Sequence, residues 1–461
     1  MQRGLALRRR IIVDVFLAVI LLAVFIVVLR FDALAAEFDT AVTAQRFDAA
    51  RGDHSTLRAF LRRMSKGGDL HTHLSGAVYG ERFVAWAAEE ELCVDPTNTL
   101  VAKALCDRPG TVPVSDAMGD QGLYDRLVNA FSMRAFLPTP AVPTGHNQFF
   151  ATFDKFNAAT APLFAHMVVD KLAALEASGL AGCVAARRSV LEDNIAKIRT
   201  ALACDAQNAQ AGCKVTFRFI AQILRDTPLD DVFITTASAA ALIRSEPLVV
   251  ALNYVQPEDY LVARRDYTRH MEIIRFLAKD VPVALHAGEL WLGLVPPEDL
   301  TFHIRQAVEI AGACRIGHGV ALTFERDMQS LLAEMRKRSV AVEINLTSND
   351  VILGVRGKDH PLPAYLAAGV PVVISTDDAG VSRIDMTNEY FRAGRDYGLD
   401  YRTLKAIARN ALLHSFLDAD NKREELQRFD RACADFERSV TGRRTPLQNL
   451  ATLIEAAATS R

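Results

Sequence analysis

The most restrictive feature of this sequence is a repeated alternation of short apolar runs with helix-length segments, which starts near residue 67. Continuous apolar strands separated by helices are typical of a parallel sheet that is covered on both faces. Eight such units predict an α/β fold of the (β/α)8 TIM-barrel class. The eight runs are 68–74, 180–186, 215–223, 247–255, 281–286, 313–317, 340–344 and 370–375.

Three further segments complete the predicted architecture around a barrel over 67–420. The interval between the first two strands is too long for one crossover and predicts an insertion at about 90–150. Apolar residues at helical spacing predict an N-terminal helical segment over 37–66. C-terminal helices, packed outside the barrel, are expected over 421–461.

The N-terminus has the composition of an export segment. Arginines at 8–10 precede the apolar stretch 11–29, and small residues follow at 33–36. The pattern predicts either a secretory signal peptide or an uncleaved membrane anchor within 1–36, because the apolar stretch is also just long enough to span a bilayer. Both alternatives place the body of the protein outside the cytoplasm, in the periplasm or the extracellular space.

The cysteine spacing agrees with export. Cys93 and Cys106 lie in a polar stretch, and Cys204 and Cys213 flank another. Both spacings suit local disulfides that staple surface loops. No CxxC pair occurs, so a cysteine zinc site is not indicated.

Histidines and carboxylates lie at the carboxyl ends of four predicted strands. An isolated pair such as His71 and His73 is most often an ordinary surface turn, but residues at the carboxyl ends of barrel strands converge on one site. The joint pattern therefore predicts a metal centre, whereas His360, after the seventh strand, is expected to be a bystander. The residues are His71 and His73 after the first strand, His286 and Glu289 after the fifth, His318 after the sixth, and Asp377 and Asp378 after the eighth.

The chemistry of such a set is hydrolytic. Three imidazole nitrogens and one carboxylate suit a divalent ion, zinc first, with water completing the shell. The pKa of water bound to zinc falls to about 7, so a hydroxide nucleophile is available at neutral pH. A nearby imidazole can hold or deprotonate that water, and a protonated carboxyl such as Glu289 can donate to a substrate.

Five motifs, in order, resemble the adenosine deaminase family of metal-dependent hydrolases: "GGDLHTHLSGA", "HAGE", "RIGHG", "TSN" and "STDDAG". The resemblance covers roughly 55–420. The export segment, the insertion with its cysteine pair and "TGHNQFFATFDKF" at 144–156 are similar to the exported adenosine deaminase-related growth factor branch.

The resemblance implies a role for each residue at the strand ends. Four of them would bind one zinc ion per subunit: His71, His73, His286 and Asp377. Glu289 would protonate the purine N1, His318 would activate the metal-bound water, and Asp378 would face N7. The implied reaction is attack of metal-bound hydroxide on C6 of adenosine or 2′-deoxyadenosine, with release of ammonia and inosine or 2′-deoxyinosine.

Two substrate-contact positions depart from the pattern of the family. Ser75 stands where compact family members have an acidic residue, and Gln256 stands near an expected glycine. Trp291 could stack on a purine, or pack at the lip of the site. These departures leave open adenine or another aminopurine as the substrate. A non-catalytic purine-binding or signalling protein is a further alternative, but every acid, base and ligand position is filled.

The expected partner is a small-molecule purine nucleoside. The formal net charge of -2 argues against nucleic acid binding. Membrane contact is expected only through the N-terminal segment, and a homodimer is possible through 37–66 or the insertion.

Overall fold

The computed structural model describes residues 33–160, 163, 166–167, 180–185, 200, 203–204 and 211–443. The predicted apolar stretch 11–29 and the end of the predicted C-terminal tail lie outside these residues. Within them, no helix has the length and apolar character needed to cross a membrane.

Eight parallel strands form two four-stranded sheets, which we number β1 to β8 in chain order. One sheet has the order β1-β2-β3-β4 and the other the order β5-β6-β7-β8. A parallel bridge between Leu252 and Val283 joins β4 to β5, and a bridge between Thr72 and Asp377 joins the ends of β1 and β8. The predicted TIM-barrel class is therefore confirmed. The strands are Gly67–Asp69, Leu180–Ala185, Phe217–Leu224, Val249–Val255, Ala284–Ala287, Arg315–His318, Ala341–Ile344 and Val372–Ile374.

Helices surround this barrel. Apolar strand residues such as Val342 and Ile316, which are paired in register, are fully buried beneath them. The α-helices within or after the barrel are Leu229–Ser245, Leu261–Arg265, Tyr267–Leu277, His303–Glu309, Met328–Lys337, Leu346–Leu353, Leu362–Ala367, Ala379–Ser382, Met386–Asp396, Tyr401–Leu413 and Ala419–Thr441. Short 3-10 helices lie at Ala211–Lys214, Pro297–Leu300, Val320–Phe324 and Gly357–Asp359.

The predicted N-terminal helical segment consists of two helices, 33–50 and His54–Arg63. The break falls at Gly52 and Asp53. The Asp53 carboxylate accepts a hydrogen bond from the backbone N–H of Thr56 at 2.6 Å and so caps the second helix.

The insertion after β1 contains a small antiparallel sheet and several helices. Its strands are Cys93–Val94, Leu100–Val101 and Val112–Pro113, and its helices are Leu74–Ala77, Gly80–Glu89, Lys103–Leu105, Val114–Met118, Gln121–Ala130 and Gly145–Thr160. The disulfides Cys93–Cys106 and Cys204–Cys213 are both present, as the spacing predicts.

The insertion reaches over the carboxyl end of the barrel. The backbone N–H of Met133 donates to the carbonyl oxygen of Val381 after β8, at 2.8 Å. His146 pairs with Asp259 after β4 at 3.0 Å. The inserted segment therefore contacts loops on well-separated sides of the barrel mouth.

Candidate metal centre

Four side chains from three strand ends converge at the carboxyl end of the barrel. The Nε2 atom of His286 lies 3.1 Å from Nε2 of His71 and 3.1 Å from Nε2 of His73. The Asp377 Oδ1 atom lies 3.4 Å from His71 Nε2 and 3.3 Å from His73 Nε2. Gly317 in β6 makes room for this packing, because a Cβ there would lie 2.6 Å from Cε1 of His71.

The separations between these donor atoms fit a divalent metal ion. Tetrahedral zinc with ligands at about 2.0–2.1 Å places its ligand atoms about 3.3 Å apart. The Nδ1 atom of each histidine already has a partner, so Nε2 is the atom left for a metal. The partners are Glu343 Oε2 at 2.7 Å for His71, Gln222 Nε2 at 3.1 Å for His73, and Asn253 Oδ1 at 3.1 Å for His286.

The pKa values of the residues at the centre are shifted in different directions. Burial opposes the ionisation of Asp377, but hydrogen bonds from His71 and His73 hold the pKa of Asp377 well below its usual range. Burial and the neighbouring histidines lower the pKa of His286 well below its usual value. Burial disfavours the charged form of His71, yet Asp377 and Glu343 raise its pKa well above the usual value. Binding of a metal ion at Nε2 of His71 requires that atom to be unprotonated.

Glu289 is held at the edge of the centre by a buried carboxylate. It follows β5 in a turn where Gly288 has a φ of +74°. The Glu258 carboxylate accepts hydrogen bonds from the backbone N–H groups of Gly288 at 3.0 Å and Glu289 at 2.7 Å, and it pairs with His303 at 2.6 Å. Burial, then the charges of Asp377 and Glu258, raise the pKa of Glu289 well above its usual value. This environment favours the protonated form of Glu289, which is the form that can donate a hydrogen bond.

The pKa of Asp378 is shifted in the opposite direction from that of its neighbour Asp377. Burial, and then the charge of Asp377, raise the pKa of Asp378 well above its usual value. Its Oδ1 atom is buried without a hydrogen-bond partner among the described residues. The carboxyl packs against the backbone of Gly76, where a Cβ would lie 1.6 Å from Oδ1, so only glycine fits.

His318 completes the set of residues at the strand ends. Its Nε2 atom lies 3.8 Å from Asp377 Oδ2, and its Nδ1 atom lies 2.9 Å from the side-chain nitrogen of Asn349. Burial lowers the pKa of His318 to about 3, so the imidazole is neutral. It is close enough to His71, His286 and Asp377 to be an alternative metal ligand.

The predicted substrate contacts have different surroundings. Ser75 is half-buried on the short helix Leu74–Ala77. The side-chain oxygen of Gln256 accepts a hydrogen bond from the backbone N–H of Asp226 at 2.9 Å. The Trp291 ring packs edge-on against Phe324, with 5.1 Å between centroids, as in the packing alternative. Contacts of these residues with a purine stay predictions.

Several residues that orient the site are missing from the sequence-based prediction. Glu343 and Asn253 hold two of the histidines, and Glu258 holds the turn that carries Glu289. The sequence pattern could have identified Glu343 and Asn253, because each interrupts an otherwise apolar strand. A polar side chain within a buried parallel strand needs a partner, which marks it as structurally or functionally engaged.

Comparison with known proteins agrees with the geometry of the site. The family model described as adenosine deaminase matches residues 183–432. The chain is 34% identical over 153 residues to an adenosine deaminase of Enterococcus faecalis, and the match spans 33% of this chain and 42% of that protein. The matched part thus covers less than half the length of this relative.

Solved structures show a similar fold. The N6-mAMP deaminase of Arabidopsis superposes with a TM-score of 0.57 and 20% identity, over 81% of this chain and 99% of that chain. The adenine deaminase of Arthrobacter aurescens superposes with a TM-score of 0.56 and 15% identity, over 80% of this chain and 98% of that chain.

Proposed function

Because this chain belongs to the adenosine deaminase family, we propose that it is a zinc-dependent aminohydrolase that converts adenosine or 2′-deoxyadenosine to inosine or 2′-deoxyinosine and ammonia. The observation that carries the proposal is the convergence of three imidazoles and one carboxylate at the strand ends. Nε2 of His286 lies 3.1 Å from Nε2 of both His71 and His73, and Asp377 Oδ1 lies 3.4 and 3.3 Å from the same two atoms. Beside them, burial and the charge of Asp377 raise the pKa of Asp378, which favours its hydrogen-bond donor form.

Each residue has a part in this reaction. The zinc ion, held by His71, His73, His286 and Asp377, would supply Lewis acidity and lower the pKa of water to about 7. Protonated Glu289 donates to the purine N1 and thereby makes C6 more electrophilic. Protonated Asp378 donates to N7 and orients the base. His318 faces the attacking oxygen with its Nε2 atom.

Burial supports the acid role of Glu289 in particular. A general acid must hold its proton at working pH, and a solvent-exposed glutamate with a pKa of about 4.3 would not. The negative charge of Glu258, which is itself fixed by His303, adds to the effect of burial. The same arrangement places the Glu289 Oε1 atom 3.4 Å from Nδ1 of His318.

Charge near the barrel mouth supports an uncharged substrate over a nucleotide. A phosphate group would require a cation that is not already neutralised. Three arginines in segments after β4 and β8 are each paired with a carboxylate. The pairs are Arg264 with Asp299 at 2.5 Å, Arg383 with Glu81 at 2.8 Å, and Arg392 with Asp350 at 2.7 Å.

Adenine or another aminopurine is the second candidate substrate. Gln256 favours it, because this residue stands where a contact to the base is expected but its side-chain oxygen accepts a hydrogen bond from the backbone of Asp226. Ser75, at a position expected to contact the sugar, favours it as well. Both differences affect recognition of the sugar or base edge and leave the metal ligands and the acid unchanged.

We also propose that the protein works outside the cytoplasm. The disulfides Cys93–Cys106 and Cys204–Cys213 support this location, because such bonds persist in oxidising compartments. Thiol alkylation in intact cells, without reductant, should leave these four cysteines unmodified. Modification of all four would contradict the location.

The test combines metal analysis with turnover. The purified chain is analysed for bound metal, and the ultraviolet absorbance of adenosine, 2′-deoxyadenosine, adenine and AMP is followed separately. Loss of the amino group from adenosine, abolished by a chelator and by Glu289→Gln, is the expected result. The matched control is Glu298→Gln, an exposed glutamate in the same loop region, which should retain activity. Turnover of adenine alone would favour the second candidate, and bound metal without turnover of any of the four would refute the proposed substrates.

A further inference from the structure

A chain of hydrogen bonds connects the main chain to the imidazole of His318. The backbone N–H of Leu362 donates to Nδ1 of His360 at 3.1 Å. Nε2 of His360 lies 3.0 Å from Oδ1 of Asn349, and Nδ2 of Asn349 lies 2.9 Å from Nδ1 of His318. The histidine expected from sequence to be a bystander, His360, is thus two hydrogen bonds from the metal centre.

The backbone N–H of Leu362 determines the donor and the acceptor of every hydrogen bond in this network. A backbone N–H can only donate, so Nδ1 of His360 must accept and its proton must be on Nε2. That Nε2–H donates to Asn349, which identifies the facing amide atom as the oxygen. The amide nitrogen of Asn349 then donates to His318, whose Nδ1 atom must be unprotonated.

The alternative orientation of the Asn349 amide is excluded by the same reasoning. A flipped amide would direct its N–H groups at the protonated Nε2 of His360 and its oxygen at the acceptor Nδ1 of His318. Two donors would face each other and two acceptors would face each other. Asn345 Nδ2 lies 3.5 Å from His318 Nδ1, but its Oδ1 atom has no hydrogen-bond partner among the described residues, so the assignment rests on Asn349.

Burial fixes which atom donates and which accepts in each hydrogen bond of this network. His318 and Asn349 are fully buried and His360 is 2% exposed, so bulk water does not replace a lost partner. The other titratable groups facing His318 are two carboxyls and two imidazoles. Glu289 lies 3.4 Å from Nδ1 and Asp377 lies 3.8 Å from Nε2. The ring centroids of His71 and His286 lie 4.9 and 5.2 Å from that of His318. Nε2 of His318 itself has no hydrogen-bond partner among the described residues.

We propose that His360 and Asn349 are positioning residues that fix His318 in the tautomer with its proton on Nε2, so that His318 offers an N–H donor to the reacting oxygen. In this arrangement His318 holds and orients that oxygen and does not remove a proton from it. The identity of the reacting oxygen rests on the proposed function, whereas the tautomer follows from the hydrogen bonds alone.

The direct test reads the tautomer in the folded protein. Long-range 1H–15N correlation spectra of the full chain, labelled with 15N-histidine, distinguish a protonated from an unprotonated ring nitrogen, and a His318→Gln variant identifies the His318 signals. In the metal-free and in the zinc-loaded protein, we expect Nδ1 of His318 to be unprotonated and Nε2 to carry the proton. A proton on Nδ1 in the metal-free protein would overturn the proposal whether or not the enzyme turns over adenosine.

Substitutions of Asn349 and His360 have different expected effects on the tautomer of His318. Asn349→Asp places an acceptor opposite His318 Nδ1 and should move the proton to that nitrogen. His360→Leu removes the donor that orients Asn349 and should give a mixture of tautomers, whereas His360→Gln keeps an N–H donor near Asn349 Oδ1 and should restore the parent spectrum. Ile352→Val, on the same helix as Asn349, is the control for a local packing change. Thermal unfolding followed by circular dichroism verifies that each variant is folded.

Kinetics separate positioning from a general loss of structure. Asn349→Asp and His360→Leu should lower kcat by about 100-fold with KM changed less than about threefold, because the affected contact strengthens in the transition state. Bound zinc should be unchanged, and His360→Gln should restore most of kcat. Equal losses for His360→Gln and His360→Leu, or a fall in bound zinc that matches the fall in kcat, would contradict the assigned role.

Discussion

Replacement of Glu343 by glutamine tests whether a residue far in sequence from the metal ligands sets the metal affinity of the site. The Glu343 carboxylate lies between Nδ1 of His71 at 2.7 Å and the Nε atom of Arg315 at 2.5 Å, and all three side chains are buried. Glutamine keeps the shape of the side chain but removes its charge. It therefore weakens the orientation and basicity of the His71 ring without emptying the space.

The expected effect has two parts of different size. Loss of a partner that orients a metal-binding histidine lowers affinity about 10- to 100-fold, or about 1.4–2.8 kcal/mol. Arg315 also loses its buried counter-ion, which costs about 3–5 kcal/mol when nothing else compensates. Arg315 retains hydrogen bonds to the carbonyl oxygens of Leu70 and His414, both at 3.2 Å. The loss of unfolding free energy should therefore lie near the lower end, at about 3 kcal/mol.

Two measurements separate these parts. Competition with a zinc chelator, followed by elemental analysis, gives the metal affinity, and urea unfolding of the metal-free protein gives the stability. The control is Glu325→Gln, a buried glutamate that accepts hydrogen bonds from the backbone of Ile304 and Arg305. It should change stability and leave zinc affinity intact. If Glu343→Gln binds zinc within twofold of the parent protein while its stability falls, Glu343 does not orient the His71 ligand.

Three further predictions concern other parts of the chain. Gly76→Ala should expel the Asp378 carboxyl and lower kcat/KM for adenosine by about 100-fold with zinc content retained, as measured by steady-state kinetics and elemental analysis. Replacing both Cys93 and Cys106 by serine should lower the free energy of unfolding by about 3 kcal/mol in urea, since their disulfide closes a short loop; an unchanged urea midpoint would argue against this. Burial raises the pKa of Glu389 to about 7. The native chain therefore holds a proton that the unfolded chain releases above about pH 4.5, so the free energy of unfolding falls as pH rises toward 8. Glu389→Gln should reduce this fall by up to about 3 kcal/mol, as measured by unfolding curves at pH 5 and 8.5.

The identity of the converging residues could be predicted from the sequence because the barrel topology is encoded locally. Apolar runs identify the strands, and the polar residue that follows each run lies at the same end of the barrel. His286 and Asp377 were assigned to one site in this way, and the structure brings both to His71 and His73. The break at Gly52 within the N-terminal helical segment is also a local signal, but helical spacing alone did not reveal it.

The partners of these residues could not be predicted in the same way. His71 and Glu343 are 272 positions apart, and His73 and Gln222 are 149 positions apart. Such pairs depend on the register between strands and on closure of the barrel, and neither is visible in a local pattern. His360 is the clearest case, because it follows a strand like the other histidines but acts, as we propose, through Asn349.

The sequence by itself determined which atoms are available for chemistry: imidazoles and carboxyls at four strand ends, at spacings that place them on one rim. Only the tertiary structure decided the direction in which the pKa of each is shifted. Asp377 and Asp378 are identical side chains at adjacent positions, yet the pKa of Asp377 is lowered and that of Asp378 is raised. The physical reason is that a pKa depends on burial and on the charges and donors within a few ångströms, and at this site those neighbours come from strands hundreds of residues apart.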